Sequence, residues 1–463
     1  MRSDLGPAVA NPPMPRSSVP HILLVNPWIH DFAAYDFWAA PLGLFTLGGI
    51  LRDHGARVSF IDCLDRFHPL QTKPPIPGQR CGRGPYLKTI IPKPAGLADI
   101  PRNYCRYGIS PEWLRHDLTT MPTPDLVLVT SLMTYWYPGV RETIQAIKTV
   151  LPHVPLVLGG IYATLCSEHA ERHCGADHVL SGPGEGAILP LAARLTGWSP
   201  TPHHDPADLD TLPRPALDLA HHLAHVPLLT SRGCPFQCAY CASHHLQPNC
   251  LRRSPAAVVD EIIHWHRSHG VTDFAFYDDA LLVDAENHIV PILDGVLAAG
   301  ITVRFHTPNA LHIRNITRPV AELMRRAGFH TIRLGLETTA FEGRQAMDRK
   351  VTEAEFLRAV GYLRAAGFPA DQVGAYLLAG LPDQDIAAVE TSIAVVKAAG
   401  VTPVIAHYTP IPHTAMWPAA VAASRYDLAA DPIFTNNAIF PCQSERFSWE
   451  VLTRLKQLAS RHA

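Results

Sequence analysis

The sequence predicts an α/β chain in two parts: a doubly wound parallel sheet domain, then a second run of six βα units. Three observations carry that expectation. Short apolar runs alternate with helical stretches from His21 to about Trp198. The same rhythm resumes at residue 226 and persists to about residue 408. Glycines such as Gly55, Gly270 and Gly300 follow the helical stretches, where a left-handed residue ends a helix at least cost.

In the first half, the run from His21 reads as a buried strand ending in a loop at Pro27, and Leu42 to His54 as a helix stopped by Gly55. The segments starting at Arg57, Asp125 and Pro155 read as further strands, with a helix from Val140 to Val150. The segment from His178 to Gly186 closes the series before a last helix. Strands alternating with helices imply a parallel, Rossmann-like sheet that binds ligands at its strand ends. Residues 66–124 break the rhythm, with clustered Pro, Gly and basic residues and no periodicity. Tyr86, Tyr104, Tyr107 and Trp113 argue for an ordered insertion, such as a lid. Cys81 and Cys105 within it read as unpaired thiols.

Residues 199–225 are rich in Pro, His and Asp and read as a linker, its histidines solvated rather than metal-bound. The second half then gives helices at 255–269, 285–299, 320–327, 352–366 and 386–399. They alternate with strands starting near Val226, Asp273, Thr302, Thr331, Val373 and Val401. Six units are too few for a closed eight-stranded barrel. The domains expected are therefore a disordered leader (1–20), a sheet domain (21–198), the linker, a βα domain (226–417) and an extension (418–463). Beyond Trp417 the pattern is uninformative, and Cys442 reads as a lone core thiol.

Composition bounds function. The chain has 463 residues, enough for two to three cores, and a formal net charge of −2. That balance gives no electrostatic reason to expect nucleic acid or anionic lipid as a partner. No apolar run of spanning length appears, so no transmembrane segment is expected. Ten cysteines in so long a chain are too dilute for a secreted disulfide framework, which favours the cytoplasm.

The chemistry concentrates at Cys234, Cys238 and Cys241, spaced C-x₃-C-x₂-C with Tyr240 before the last cysteine. The loop follows an apolar run that ends at Ser231-Arg232-Gly233. Thiolates are the ligands of iron–sulfur clusters, and three of them leave one iron of a four-iron cluster without a protein ligand. A structural zinc site would need a second ligand pair, although His244 and His245 lie near. A redox pair would use Cys238 and Cys241 and leave Cys234 unexplained.

This spacing resembles the signature of the radical S-adenosylmethionine (SAM) superfamily. The resemblance implies a partial (βα)6 TIM-like barrel, a 4Fe-4S cluster on the three cysteines, and SAM chelated by the open iron. It implies reductive cleavage of SAM to a 5′-deoxyadenosyl radical, with an external flavodoxin- or ferredoxin-like electron donor and a small-molecule or natural-product substrate. By position at strand ends, Asp278, Asn309 and Glu337 become candidate SAM contacts. Glu337 stands in Gly335-Leu-Glu-Thr338, which resembles the family's Gly-x-Glu-Ser/Thr element. Arg349 is the candidate partner of the SAM carboxylate, and Gly380 lies in the segment that resembles the adenine-packing strand. His413 stands where the family's Pro-x-Pro-Gly-Thr loop carries glycine, which limits access to positive φ.

The first half resembles the cobalamin-binding domain fused to many such enzymes. Ser131, Thr134, Gly159, Gly160, Gly182, Gly184 and Glu185 are the candidate cobalamin contacts, although the Asp-x-His-x-x-Gly motif is absent. The pair of resemblances implies cobalamin-dependent methylation of an unactivated carbon. A radical cyclisation, oxidation or rearrangement is the alternative, and a non-catalytic SAM or cobalamin sensor a further one.

Overall fold

The computed structural model describes residues 19–76, 78–343, 347–444 and 447–460. Most of the expected leader, residues 1–18, lies outside them. Two parallel sheets organise the chain. The first contains, in spatial order, Arg57–Asp62, His21–Asn26, Leu126–Val129, Leu156–Leu158 and His178–Val179. All of its pairings are parallel. The interior strand His21–Asn26 is buried along its whole length, as a strand covered by helices on both faces must be. Its order reverses between His21–Asn26 and Leu126–Val129, so the strand ends there open a crevice.

The second sheet has six parallel strands in sequence order: Val226–Leu228, Asp273–Phe276, Arg304–His306, Phe329–Glu337, Val373–Ala379 and Thr402–His407. We call these barrel strands one to six. The first and last have no mutual pairing, so the barrel is partial. Phe274, Phe276, Phe305 and Phe329 are almost wholly buried in one core with Ile262, Ile292 and Met324 of the covering helices. Asp273 and His306, alternate to Phe274 and Phe305, therefore face the lumen, and a register shift just after Phe329 brings Arg333 onto the same face. Local sequence sets the helix ends. Ser254 caps the helix Pro255–His269, which Gly270 ends at φ 68°. Thr352 and Glu355 form a capping box on Glu353–Ala365.

The insertion is ordered and builds a small antiparallel sheet from Lys88–Ile90 and Cys105–Tyr107 with Ile29–Asp31. It also contains the helix Pro111–Thr120, capped by Ser110. Three-residue strands are too short to show periodicity, which is why the sequence reads as a loop there. The linker packs as well: Ala216 and Leu217 are fully buried, and Gly49 has no Cβ because Arg214 O would lie 2.4 Å from it. Its histidines are exposed or half-buried except His225, and two of them are paired with carboxylates. His203 pairs with Asp53 at 2.5 Å, His221 pairs with Asp65 at 2.7 Å, and His225 is buried.

The C-terminal segment bridges the two halves. Thr435 and Asp431 bond Thr134 and Tyr137 of the first domain, while the helix Trp449–Ser460 packs on barrel strand six. Among the described residues, no helix is long and apolar enough to cross a membrane.

Candidate active site

The cysteine loop leaves barrel strand one through Ser231–Arg232, which pairs antiparallel with Leu251–Arg252 and clamps the loop at its base. Gly233 turns at φ 80°, and a Cβ there would sit 2.5 Å from Asn249 O. No other residue fits that turn without moving the backbone. Asp278, at the end of strand two, accepts bonds from Thr230 N–H, from Thr230 Oγ1–H at 2.7 Å and from Ser231 Oγ–H at 2.6 Å. It anchors the loop instead of facing a ligand.

Cys234 and Cys238 are buried and Cys241 is half-buried, and none of the ten cysteines forms a disulfide. Burial, then Asp279 and the other two thiols, pushes the Cys234 thiol up to about 11. Burial also raises Cys238, against the pull of Lys350. Two thiols held protonated by burial, with Cys241 beside them, suit a bound cation, and soft metal is what such donors prefer. The residues thus fit an iron–sulfur cluster. Ser243 Oγ lies 3.1 Å from Cys241 Sγ, and His312 Nε2 lies 3.7 Å from Cys234 Sγ.

Glu337 ends strand four in the left-handed region, at φ 64°, where the pairing to strand five slips by one residue. A non-glycine held there stores strain that the surroundings must over-determine. Lys350 supplies part of that: its Nζ lies 3.6 Å from Glu337 Oε1 and donates to Tyr240 Oη at 2.8 Å. Burial alone would lower the Lys350 ammonium, but Glu337, Cys238 and Asp348 outweigh it and hold it above the ordinary lysine range. The structure therefore brings Tyr240 and Glu337 together through Lys350.

Arg349 is not brought there. It is exposed, and its carbonyl accepts from Arg314 at 3.0 Å. Lys350, its neighbour, stands there instead, and in the sequence only its position beside Arg349 points to it. Asn309 is exposed and donates to Tyr277 O at 2.7 Å. Gly380 turns at φ 92° with its N–H on Gln384 Oε1, and a Cβ there would lie 2.4 Å from the Phe440 ring. The C-terminal segment thus presses on Gly380. His413 does adopt positive φ, 67°, despite its Cβ; its ring stacks on His245 at 4.2 Å and bonds Leu165 O.

A cavity of about 400 Å³ lies between the strand ends of the first sheet and the cysteine loop. Ser131, Gly159, Gly160, Gly182, Gly184 and Glu185 line it from one side, and Arg232, Ser243 and Asp279 from the other. Gly43 and Gly182, also in its wall, have nothing within 4 Å of a Cβ position, so side chains there would intrude on open space. This glycine-walled slot fits a flat, bulky cofactor such as cobalamin. Ser131 spends its hydroxyl on Gly159 O at 2.6 Å, and Thr134 is withdrawn to Thr435 at 3.1 Å. A second, smaller cavity of about 190 Å³ opens beside Glu337, Leu378 and Gln384.

Comparison with known proteins agrees with both halves. The radical SAM superfamily matches residues 228–394, and the B12 binding domain matches residues 119–192. An uncharacterized methyltransferase, PH0819 of Pyrococcus horikoshii, is 25% identical over 329 residues, covering 65% of this chain and 70% of the relative. The anaerobic magnesium-protoporphyrin IX monomethyl ester cyclase of a Synechocystis strain is 25% identical, covering 65% of this chain and 57% of its own. Among solved structures, the radical SAM methyltransferase TsrM of Kitasatospora setae, with tryptophan and a SAM analogue bound, superposes with a TM-score of 0.62. It is 18% identical and covers 88% of this chain and 77% of its own.

Proposed function

This is a radical SAM enzyme with a B12 binding domain ahead of its barrel, and we propose that it methylates an unactivated carbon of a small molecule. The carrying observation is the shared cavity, whose walls are the glycine loops of one domain and the residues that flank the cysteine loop of the other, Arg232, Gly233 and Ser243. When bound, the cluster supplies the electron that cleaves SAM and cobalamin supplies the methyl group, chemistry no side chain offers.

The chain's own residues hold and orient these groups. Cys234, Cys238 and Cys241 would ligate the cluster, with Asp278 and Gly233 fixing the loop that presents them. Lys350, steadied by Tyr240 and Glu337, offers a cation beside the cluster for the SAM carboxylate. Gly159, Gly160, Gly182 and Gly184 let backbone approach cobalamin closely, and Arg232 and Glu185 close the slot toward the cluster. Ten unpaired cysteines suit a reducing cytoplasm, where a flavodoxin- or ferredoxin-like donor would deliver the electron.

The test is anaerobic reconstitution with iron, sulfide and cobalamin, then SAM and a strong reductant, read by mass spectrometry. 5′-Deoxyadenosine and S-adenosylhomocysteine are both expected, and both disappear when the three cysteines become Ala. The first product without the second would remove the methylation reading. The cyclase relative favours radical ring closure as the second reading, which adds no CH₂ to the product.

A further inference from the structure

The loop before the first long helix leaves its own domain and enters the barrel. Trp38, held at φ 66°, stacks on His306 of barrel strand three with ring centroids 4.4 Å apart. Tyr277 of strand two donates to Trp38 O and accepts from Ala40 N–H, while Trp38 Nε1–H donates to Cys81 O at 2.8 Å. The insertion follows it inward, placing the Arg83 guanidinium 4.8 Å over the Trp38 ring. From strand four, Arg333 shares the lumen face with Gly335. Its guanidinium lies where a Cβ on Gly374 would come within 3.1 Å of it, donates to the carbonyl of Ile332 at 2.9 Å and has the neutral Tyr376 hydroxyl as a neighbour.

The carboxylates nearby are taken. Asp273 binds Arg304 at 2.5 and 2.7 Å and His306 at 2.9 Å, and Asp36 binds Arg66 at 2.8 Å. Among the described residues, neither Arg83 nor Arg333 has a carboxylate within ion-pair distance. Burial works most against the charge on Arg333; Tyr376 supports it, and Arg83 opposes it again. A largely buried guanidinium such as Arg333 without a carboxylate is costly unless an anion arrives to meet it, and Arg83, whose Nε–H donates to Arg80 O at 3.1 Å, stands near it with its other N–H groups available.

We propose that the barrel lumen receives a substrate bearing a carboxylate or phosphate-like anion, gripped by Arg333 and Arg83 beside the Trp38 ring. Guanidinium forks suit both planar carboxylates and phosphate oxygens, and fixing that end would orient the reacting carbon toward the strand ends. The insertion thereby sets substrate class, and Trp38 ties the same loop to the cobalamin cavity through Ala40 and Tyr277. This deepens the methylase reading and rests on it for the position of the cofactors.

The experiment is calorimetric titration of reconstituted enzyme, loaded with cobalamin and SAM, using inorganic phosphate, methylphosphonate and acetate as probes. Saturable one-to-one binding of at least one probe is expected, weakened about tenfold or more by Arg333→Gln and by Arg83→Gln. Arg333→Lys should retain part of it, and Arg172→Gln, on an exposed helix, all of it. Arg83 lies in an insertion loop, so its variant serves if Arg333→Gln does not fold. Absence of saturable binding, or equal binding by both variants, overturns the proposal. So does binding that appears only without cobalamin, since the site would then belong to that cofactor's phosphate. SAM cleavage is read in the same samples; its failure with anion binding intact removes the methylase reading and leaves the anion site standing.

Discussion

Glu185 and Arg232 form an ion pair at 2.5 Å that joins the last glycine loop of the sheet domain to the residue two before Cys234. Their side chains are only 8% and 11% exposed, so the pair is desolvated and its partners depend on each other. Neither half of the chain could position this contact alone.

Removing one partner should strand a buried charge. Arg232→Ala and Glu185→Ala are each expected to cost about 3–5 kcal/mol, and the double variant less than their sum. Chemical unfolding measures the coupling. Cobalamin retained per chain, read by absorbance, should fall in all three. Full retention with an unchanged midpoint would mean the pair does not organise the slot.

Lys350 should matter where Arg349 does not. Lys350→Met is expected to lower 5′-deoxyadenosine formation at least about tenfold while iron per chain stays unchanged. Arg349→Gln, on the surface, should remain within about twofold of the parent. Equal losses in the two variants would contradict the assignment.

Gly380 is constrained twice, by positive φ and by the Phe440 ring. Gly380→Ala should destabilise the chain by about 2–4 kcal/mol. Adding Phe440→Leu should recover the steric part and leave about 1 kcal/mol of backbone strain. Thermal or urea unfolding separates the two contributions.

His288 provides a pH test. It is 2% exposed, bonds Thr230 Oγ1 at 2.8 Å, and burial pushes its imidazole down to about 4 from 6.5. Between these values the unfolded chain takes up a proton that the folded chain refuses. Stability is therefore complete above pH 6.5 and falls as pH drops toward 4, by at most about 3 kcal/mol from this residue. His225 is also pushed down to about 4 and adds in the same direction. Urea midpoints at pH 7 and pH 5 should converge in His288→Gln relative to the parent. An unchanged difference would mean that His288 does not drive it.

Legibility tracked the range of the interactions. The spacing of Cys234, Cys238 and Cys241, the alternation of both sheets, and the caps at Ser254 and Thr352 are local, so the sequence by itself determined the βα order and the cysteine loop. The glycines at 159, 160, 182 and 184 could also be placed at strand ends from the sequence, because tight approach of backbone requires them. Other features depended on pairs of residues far apart in the chain. Only the tertiary structure withdrew Thr134 to Thr435, set Phe440 against Gly380, and put Lys350 rather than Arg349 beside Tyr240. It alone also carried Trp38 and Arg83 into a barrel that begins only at Val226. Hydrogen bonds, ion pairs and ring contacts act over a few ångströms of space, and periodicity along the chain carries no record of which distant segments that space will join.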